Sequence, residues 1–297
     1  MVSPLFELRH VSLAFGGLKA VDRVDLALPA GGLHGLIGPN GAGKTTVFNL
    51  ITGIYRPDEG DLRLAGRRLN GLSPHRIAHA GIARTFQNIR IFAQLTVLDN
   101  VRVGCHVRAR HTMAQAILRT AGHIAGERLI QADARALLDT FGLADHAQEL
   151  AGSLPHGQQR RLEIARALAT HPTLLLLDEP AAGMNPTEKA ALKALIRRIR
   201  DHYQLAILLI EHDMSLVMDL CEQITVLDYG QVIARGTPPE VQNNPKVIEA
   251  YLGEPIPGAS ANPRAEGATR GNTKNAGTAG TAETRPEDHP GPEGGQG

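Results

Sequence analysis

Eight consecutive residues, Gly38-Pro39-Asn40-Gly41-Ala42-Gly43-Lys44-Thr45, fit the pattern G-x-x-x-x-G-K-[ST]. Glycines at this spacing let backbone N–H groups close around an anion, and a following helix N-terminus adds partial positive charge. Lys44 is suited to reach the β and γ phosphates of a nucleoside triphosphate, and the Thr45 hydroxyl to ligate Mg²⁺, with Thr46 beside it at the nucleotide. Asp178, after four leucines, has the chemistry to hold Mg²⁺ through water. Glu179 next to it can polarise an attacking water. His212, after a second apolar run, could contact a γ-phosphate and help hold Glu179, while Gln87 could reach both the metal and that water. These types, in this order behind a phosphate loop, predict nucleoside-triphosphate binding and hydrolysis.

Such residues work only if strands and helices bring them to one edge. Gly35 to Ile37 ends a short apolar run, and Thr46 to Thr52 carries Val47, Phe48, Leu50 and Ile51 before Gly53, so the loop sits between a strand and a helix. Leu174 to Leu177 and Leu205 to Ile210 are all-apolar, the pattern of parallel strands buried on both faces. Between them Asn185-Pro186 starts a helix running to about His202. Asp178 and His212 thus end parallel strands one crossover apart, the edge at which open α/β sheets bind ligands.

Ahead of the loop, Leu5 to Phe15 reads as an edge-type strand and Val21 to Leu28 as a second, with Phe15 before the Gly16-Gly17 turn. An aromatic there suits stacking on a nucleotide base or a place in the core. Asp61 to Ala65 and Ile82 to Phe86 read as strands and Ser73-Pro74 to Gly81 as a short helix. From Asn88 to Ser153 the texture turns helical, with segments Val97–Val103, Met113–Leu118 and Leu129–Leu143, so a helical insertion divides one α/β domain. Its His106, His111, His123 and His146 have no ligand-like spacing. Gly157 to Ala169 is an amphipathic helix, Gln223 to Arg235 a hairpin about Tyr229-Gly230, and Pro245 to Leu252 a last helix. Beyond Ile256 no aliphatic core former or aromatic appears, and 254–297 is expected to be a disordered Gly/Pro/Ala/Thr-rich tail.

The 297 residues carry 31 basic and 30 acidic side chains, a net charge of +1, so there is no general attraction to nucleic acid or anionic lipid. Cys105 and Cys221 form no metal or redox spacing. No apolar run approaches the roughly 18 residues of a membrane helix. A soluble, cytoplasmic chain is expected.

With these motifs in place, the chain resembles the ATP-binding subunits of ABC transporters over about Leu5 to Gly253. The matching motifs are the phosphate loop, Gln87 as the Q-loop glutamine, Leu154-Pro155-His156-Gly157-Gln158 as the signature motif, Leu174 to Glu179 as Walker B, and His212 as the switch histidine. The resemblance implies a RecA-like P-loop NTPase core with a mostly parallel sheet, an antiparallel β subdomain and an inserted α-helical subdomain at about 88–156, all within an ATP-binding domain of 1–253. It implies ATP and Mg²⁺ as cofactors and places Phe15 on the adenine. It also implies a second ATP-binding subunit, whose signature helix contacts the nucleotide across an ATP sandwich. Gly157, opening a helix over Gln158 to Ala169, suits that contact.

Two departures stand out. The family's usual L-S-G-G-Q has Pro155 for its serine and His156 for its first glycine, which removes a hydroxyl and an N–H. The D-loop reads Ala182-Gly183-Met184-Asn185, with Asn185 in place of an aspartate. Within the family, Ala83 to Asn88, Pro180 to Pro186, Glu211-His212-Asp213-Met214 and Tyr251-Leu252-Gly253 look like the ATPase of branched-chain amino-acid importers. That implies two transmembrane permease subunits, an external binding protein and a place at the cytoplasmic face of the membrane. Ile89, Ile91, Phe92 and Leu95 are then either a permease-docking surface or buried packing of the insertion. Rival readings are the ATPases of urea or lipopolysaccharide transporters, a non-catalytic nucleotide-gated scaffold, and a nucleic-acid-associated ABC ATPase. The last would need heptads or cysteine pairs in the insertion, and neither is there.

Overall fold

A computed structural model describes residues 3–108 and 121–251. The expected helix over Met113–Leu118, His111 and the tail 254–297 lie outside the described residues.

Two sheets organise the chain. β1 (Phe6–Phe15), β2 (Leu18–Leu28), β4 (Glu59–Leu64) and the short β5 (Arg67–Arg68) form an antiparallel sheet in the order β2-β1-β4-β5. β1 is therefore interior, not the edge strand its alternation suggests. Its register shifts between Leu8 and Ala14 bend it, and those bulges blur the period-2 pattern that would mark a paired strand. The second sheet takes β3 (Leu33–Ile37), β6 (Ile82–Arg84), β7 (Leu174–Asp178), β8 (Ala206–Ile210), β9 (Gln223–Asp228) and β10 (Gln231–Gly236) in the order β10-β9-β3-β8-β7-β6. All its neighbours run parallel except the β9–β10 hairpin, where Tyr229 and Gly230 both take positive φ.

Alternation along the parallel strands assigns their side chains to two cores. Leu175, Leu177, Ile207 and Leu209 join one buried cluster, while Leu174, Leu176, Leu208 and Ile210 join the other. The first lies under α3 (Val97–Cys105), α4 (Ala121–Phe141), α5 (His156–Leu168), α6 (Pro186–Tyr203) and α7 (Met214–Leu220). The second is closed by α1 (Lys44–Ile51), α2 (Pro74–Ala80) and the antiparallel sheet. Both faces of the parallel sheet are covered, which is why its strands read as unbroken apolar runs. Two short helices, α8 (Pro238–Gln242) and α9 (Pro245–Tyr251), follow β10.

Local chemistry fixes several ends. Asn185 and Glu188 form a reciprocal capping box at the start of α6. The Thr96 side chain accepts from the Asp99 N–H to cap α3, and Asp213 accepts from Ser215 and Leu216 to cap α7. The Asn185 and Asp213 caps fix where α6 and α7 begin after β7 and β8.

Candidate functional site

The functional edge is the C-terminal side of four adjacent parallel strands. The phosphate loop follows β3, His212 follows β8, Asp178-Glu179 ends β7 and Gln87 follows β6. Registers Leu36↔Ile210 and Asp178↔Ile210 keep these ends level. At about 5 Å per strand, the loop and Glu179 lie about 10 Å apart, with His212 between them. That span suits a triphosphate and a water.

In the loop, Gly38, Gly41 and Gly43 take φ of 153°, 80° and 101°. A Cβ at Gly38 would stand 2.1 Å from the Leu227 carbonyl oxygen, and one at Gly43 2.5 Å from that of Ala20. Glycine is thus required by contact as well as by conformation. Lys44 Nζ donates to the carbonyls of Gly38 and Pro39 at 2.7 and 2.9 Å, lying across its own loop. Thr45 is exposed and Thr46 half-buried in the first turn of α1, while Asn40 and Gly41 are exposed at the tip. Ala42 is buried, Pro39 half-buried, and the Ala42 carbonyl accepts from the Gly230 N–H, which ties the loop to the β9–β10 hairpin.

Glu179 is the centre of the second group. Its φ of 46° turns the chain out of β7, and its N–H donates to the Ile210 carbonyl at 2.9 Å. A left-handed non-glycine residue at a strand end marks a side chain whose direction matters more than local ease. Gln87 Nε2 donates to Glu179 Oε2 at 2.9 Å, and His212 Nδ1 stands 3.6 Å from the same oxygen, too far for a hydrogen bond. The His212 ring is 69% exposed, free to turn toward a ligand. Gln87, Glu179 and His212, expected together, come together.

Asp178 has a partner that sequence reasoning missed. Arg84 Nη2 donates to Asp178 Oδ2 at 2.7 Å, with both side chains almost wholly buried, and Nη1 donates to Asn49 Oδ1 on α1 at 2.7 Å. The same guanidinium lies over the rings of Phe48 and Phe86. Arg84 therefore links the helix behind the phosphate loop, the Asp178 carboxylate and the approach to Gln87. A charge within a strand whose neighbours are buried was the available signal. Glu211 is a second omission. Burial pushes its carboxyl up, although it accepts N–H bonds from Ala181 at 2.8 Å and His212 at 3.2 Å. It joins the turn after β7 to the turn after β8.

Among the described residues no group of three or more His, Cys, Asp or Glu could hold a metal by itself. The donors present are the Thr45 hydroxyl, the Asp178 carboxylate and the Gln87 amide. Such a hard, sparse oxygen set fits Mg²⁺ carried with phosphates and water.

Phe15 ends β1, 48% exposed, its ring edge-on to Tyr55 at 5.2 Å between centroids. It is not a core aromatic. Leu154 to Gln158 touch other parts of the chain. Pro155 is the N-cap of α5, so the helix starts at His156 and not after Gly157; the fixed φ of proline, −55° here, starts it early. Leu154 is buried, Pro155 and His156 are exposed, and the His156 ring lies against Gly183. Gly157 is buried beside Glu188, and Gln158 Nε2 lies 3.4 Å from His146 Nε2.

An apolar cleft of about 370 Å³ lies beside Phe86 and Phe92. Ile54, Ile77, Phe86, Phe92 and Val103 line it, with Arg166 at its wall. Phe92 and Leu95 are exposed, whereas Ile91 packs on the core, so the segment both docks inward and presents an apolar edge.

Known proteins resemble this chain. Residues 21–182 match the family model described as ABC transporter, and residues 231–256 match one described as branched-chain amino acid ATP-binding cassette transporter. The high-affinity branched-chain amino acid transport ATP-binding protein BraF of Pseudomonas aeruginosa is 45% identical over 254 residues, covering 86% of this chain and 100% of that one. LivG of Escherichia coli, described in the same words, is 45% identical with the same coverage. Among solved structures, an ATP-binding cassette of an ABC transporter in its ADP conformation superposes with a TM-score of 0.74 at 29% identity, over 84% of this chain and 99% of that one. The chain belongs to the ABC transporter family, as an ATP-binding ATPase subunit.

Proposed function

We propose that this chain hydrolyses ATP to drive an importer of branched-chain amino acids, from the cytoplasmic face of the membrane and through permease subunits. The observation that carries the hydrolytic part is the meeting of Gln87 and His212 at one oxygen of Glu179, at the edge that holds the phosphate loop. Phe15 takes the adenine face, and the loop N–H groups from Gly38 to Thr46 take the phosphates. Lys44 swings from its loop carbonyls to the phosphate oxygens, a change within reach because both bonds are local. Glu179 orients a water and accepts its proton, held by Gln87, with His212 at the terminal phosphate. Thr45, Asp178 and Gln87 would hold Mg²⁺, which when bound supplies charge neutralisation between the phosphates.

Leu154 to Gln158 are exposed in part and lie against Gly183, Glu188 and His146 rather than against the edge residues, so we assign them to the nucleotide of a second ATP-binding subunit. Pro155 then donates no hydrogen bond, and the N–H groups of His156 and Gly157 at the start of α5 take the phosphate. Triphosphate contacts both surfaces only when the pair is closed, so binding favours closure and hydrolysis removes the preference. The apolar cleft beside Phe92 is the seat for a permease segment, an assignment its exposed apolar lining supports. No described helix is long and apolar enough to cross a membrane, so attachment through permeases fits. Residues 1–253 are assigned to the ATP-binding domain.

Cargo is tested by coexpressing the chain with its permease and binding-protein partners in vesicles. ATP-dependent uptake of labelled leucine is expected; uptake of urea or another amide without leucine would overturn the cargo assignment.

A further inference from the structure

The segment between the end of β6 and the start of α3 has no regular secondary structure, so its backbone groups must find partners elsewhere. Four of them find the same two side chains. Arg160 Nη1 donates to the Phe86 carbonyl at 2.6 Å and Nη2 to the Gln87 carbonyl at 2.7 Å. Glu163 Oε1 accepts from the N–H groups of Phe86 and Arg90 at 3.3 and 3.2 Å. The two side chains are also paired with each other, Nη1 to Oε2 at 2.8 Å, and only 1% and 2% exposed.

Three residues apart on α5, they share one helix face. Arg160 sits about 4.5 Å along the helix axis from Gly157, less than one turn. Gln87 is thus held twice: its backbone by α5 and its side chain by Glu179. A planar guanidinium can grip two successive carbonyls, which a lysine cannot do at once. Burying two charges is costly, and apolar residues would fill the same space at least as stably. What apolar residues would not do is fix the height of residues 86–90 against the helix.

We propose that Arg160 and Glu163 are positioning residues, a buried clamp that makes the start of α5 and the Gln87 segment move as one. Displacement of the Leu154–Gln158 turn is then delivered to Gln87, and through its amide to the Glu179 carboxylate. The catalytic half of this inference rests on the roles given above to Gln87 and Glu179; the clamp itself does not.

The test uses the full-length chain and reads the two halves separately. Hydrogen exchange at the Phe86 and Arg90 amides, without nucleotide, should speed up by about tenfold or more in R160M and in E163Q, because the first removes the anchor of their acceptor and the second removes its charge and its ion pair with Arg160. Unchanged exchange overturns the clamp. For hydrolysis, R160M should lower kcat by about tenfold or more, as expected for a misplaced catalytic group. ATP affinity should stay within about threefold, and R160K should recover part of kcat. In a Q87A background the same R160M change should cost no more than about twofold further, since the residue it positions is gone. Full additivity of the two losses, or a loss carried by ATP affinity, overturns the positioning role. If R160M does not fold, E163Q carries the same cycle. If Q87A alone leaves kcat intact, the role of Gln87 fails and the catalytic half with it, while the exchange result still decides the clamp.

Discussion

At the sheet edge, Gln87, Glu179 and His212 leave three different strands and meet at one carboxylate oxygen; around the first turn of α5, His156 lies against Gly183, Gly157 against Glu188 and Gln158 near His146, none of them an edge residue. The first region is assembled by the fold of a single chain. Parallel strands with level ends supply the spacing, and Glu179 adopts a left-handed turn to complete it. On the function proposed above, the second region is a helix start that serves the nucleotide of another subunit. Folding then completes one half of the site, while the other half needs an encounter. Lesions in the two regions should therefore fail differently.

The largest effect is expected inside the assembled half. E179Q should keep ATP affinity while kcat falls on the order of a thousandfold, read as phosphate release at saturating ATP. K44A should weaken ATP binding by about a hundredfold or more in a calorimetric titration, by removing a charged phosphate ligand; near-normal affinity would break the phosphate-loop assignment. The outer half should behave otherwise. In G157A the new Cβ meets the Glu188 carboxylate end at 2.8 Å, a flexible group that can move aside. Folding stability should fall by about 1 kcal/mol, the middle of the range for point substitutions. ATP affinity of the isolated chain should hold, while steady-state hydrolysis drops. Equal losses of affinity in G157A and K44A would erase the contrast.

The smallest effect concerns the cap that holds the turn after His212. Burial alone would raise the Asp213 carboxyl, but hydrogen bonds from Lys189, Ser215 and the Leu216 N–H outweigh it and lower the pKa from 3.8 to about 2. A carboxylate depressed in the folded state adds stability above its unfolded pKa and loses it as pH falls through the folded value. The melting temperature should thus fall between pH 3.8 and about 2, and D213N should lower it at neutral pH and flatten that part of the profile.

Much of this was legible in the chain, for identifiable reasons. All-apolar Leu174 to Leu177 and Leu205 to Ile210 can only be doubly buried strands, so the residues just after each must lie at one edge. That placed Asp178, Glu179 and His212. Arg84, Arg160, Glu163 and Glu211 were not legible in their roles. Their partners are backbone carbonyls, N–H groups and a carboxylate remote in sequence, and periodicity says nothing of such contacts. An Arg and a Glu three apart on a helix ordinarily read as a solvated pair. β1 misled because bulges break its alternation, and α5 because a proline N-cap starts a helix one residue before the glycine that seemed to open it.

On the proposed function, one chain holds a nucleotide at the sheet edge and a second copy or sister subunit encloses it. Size exclusion with light scattering of E179Q tests it most directly. With MgATP the E179Q chain, alone or with its sister subunit, should run as a dimer that reverts to monomer with MgADP. A monomer at ATP concentrations that a titration shows to be saturating would contradict the account.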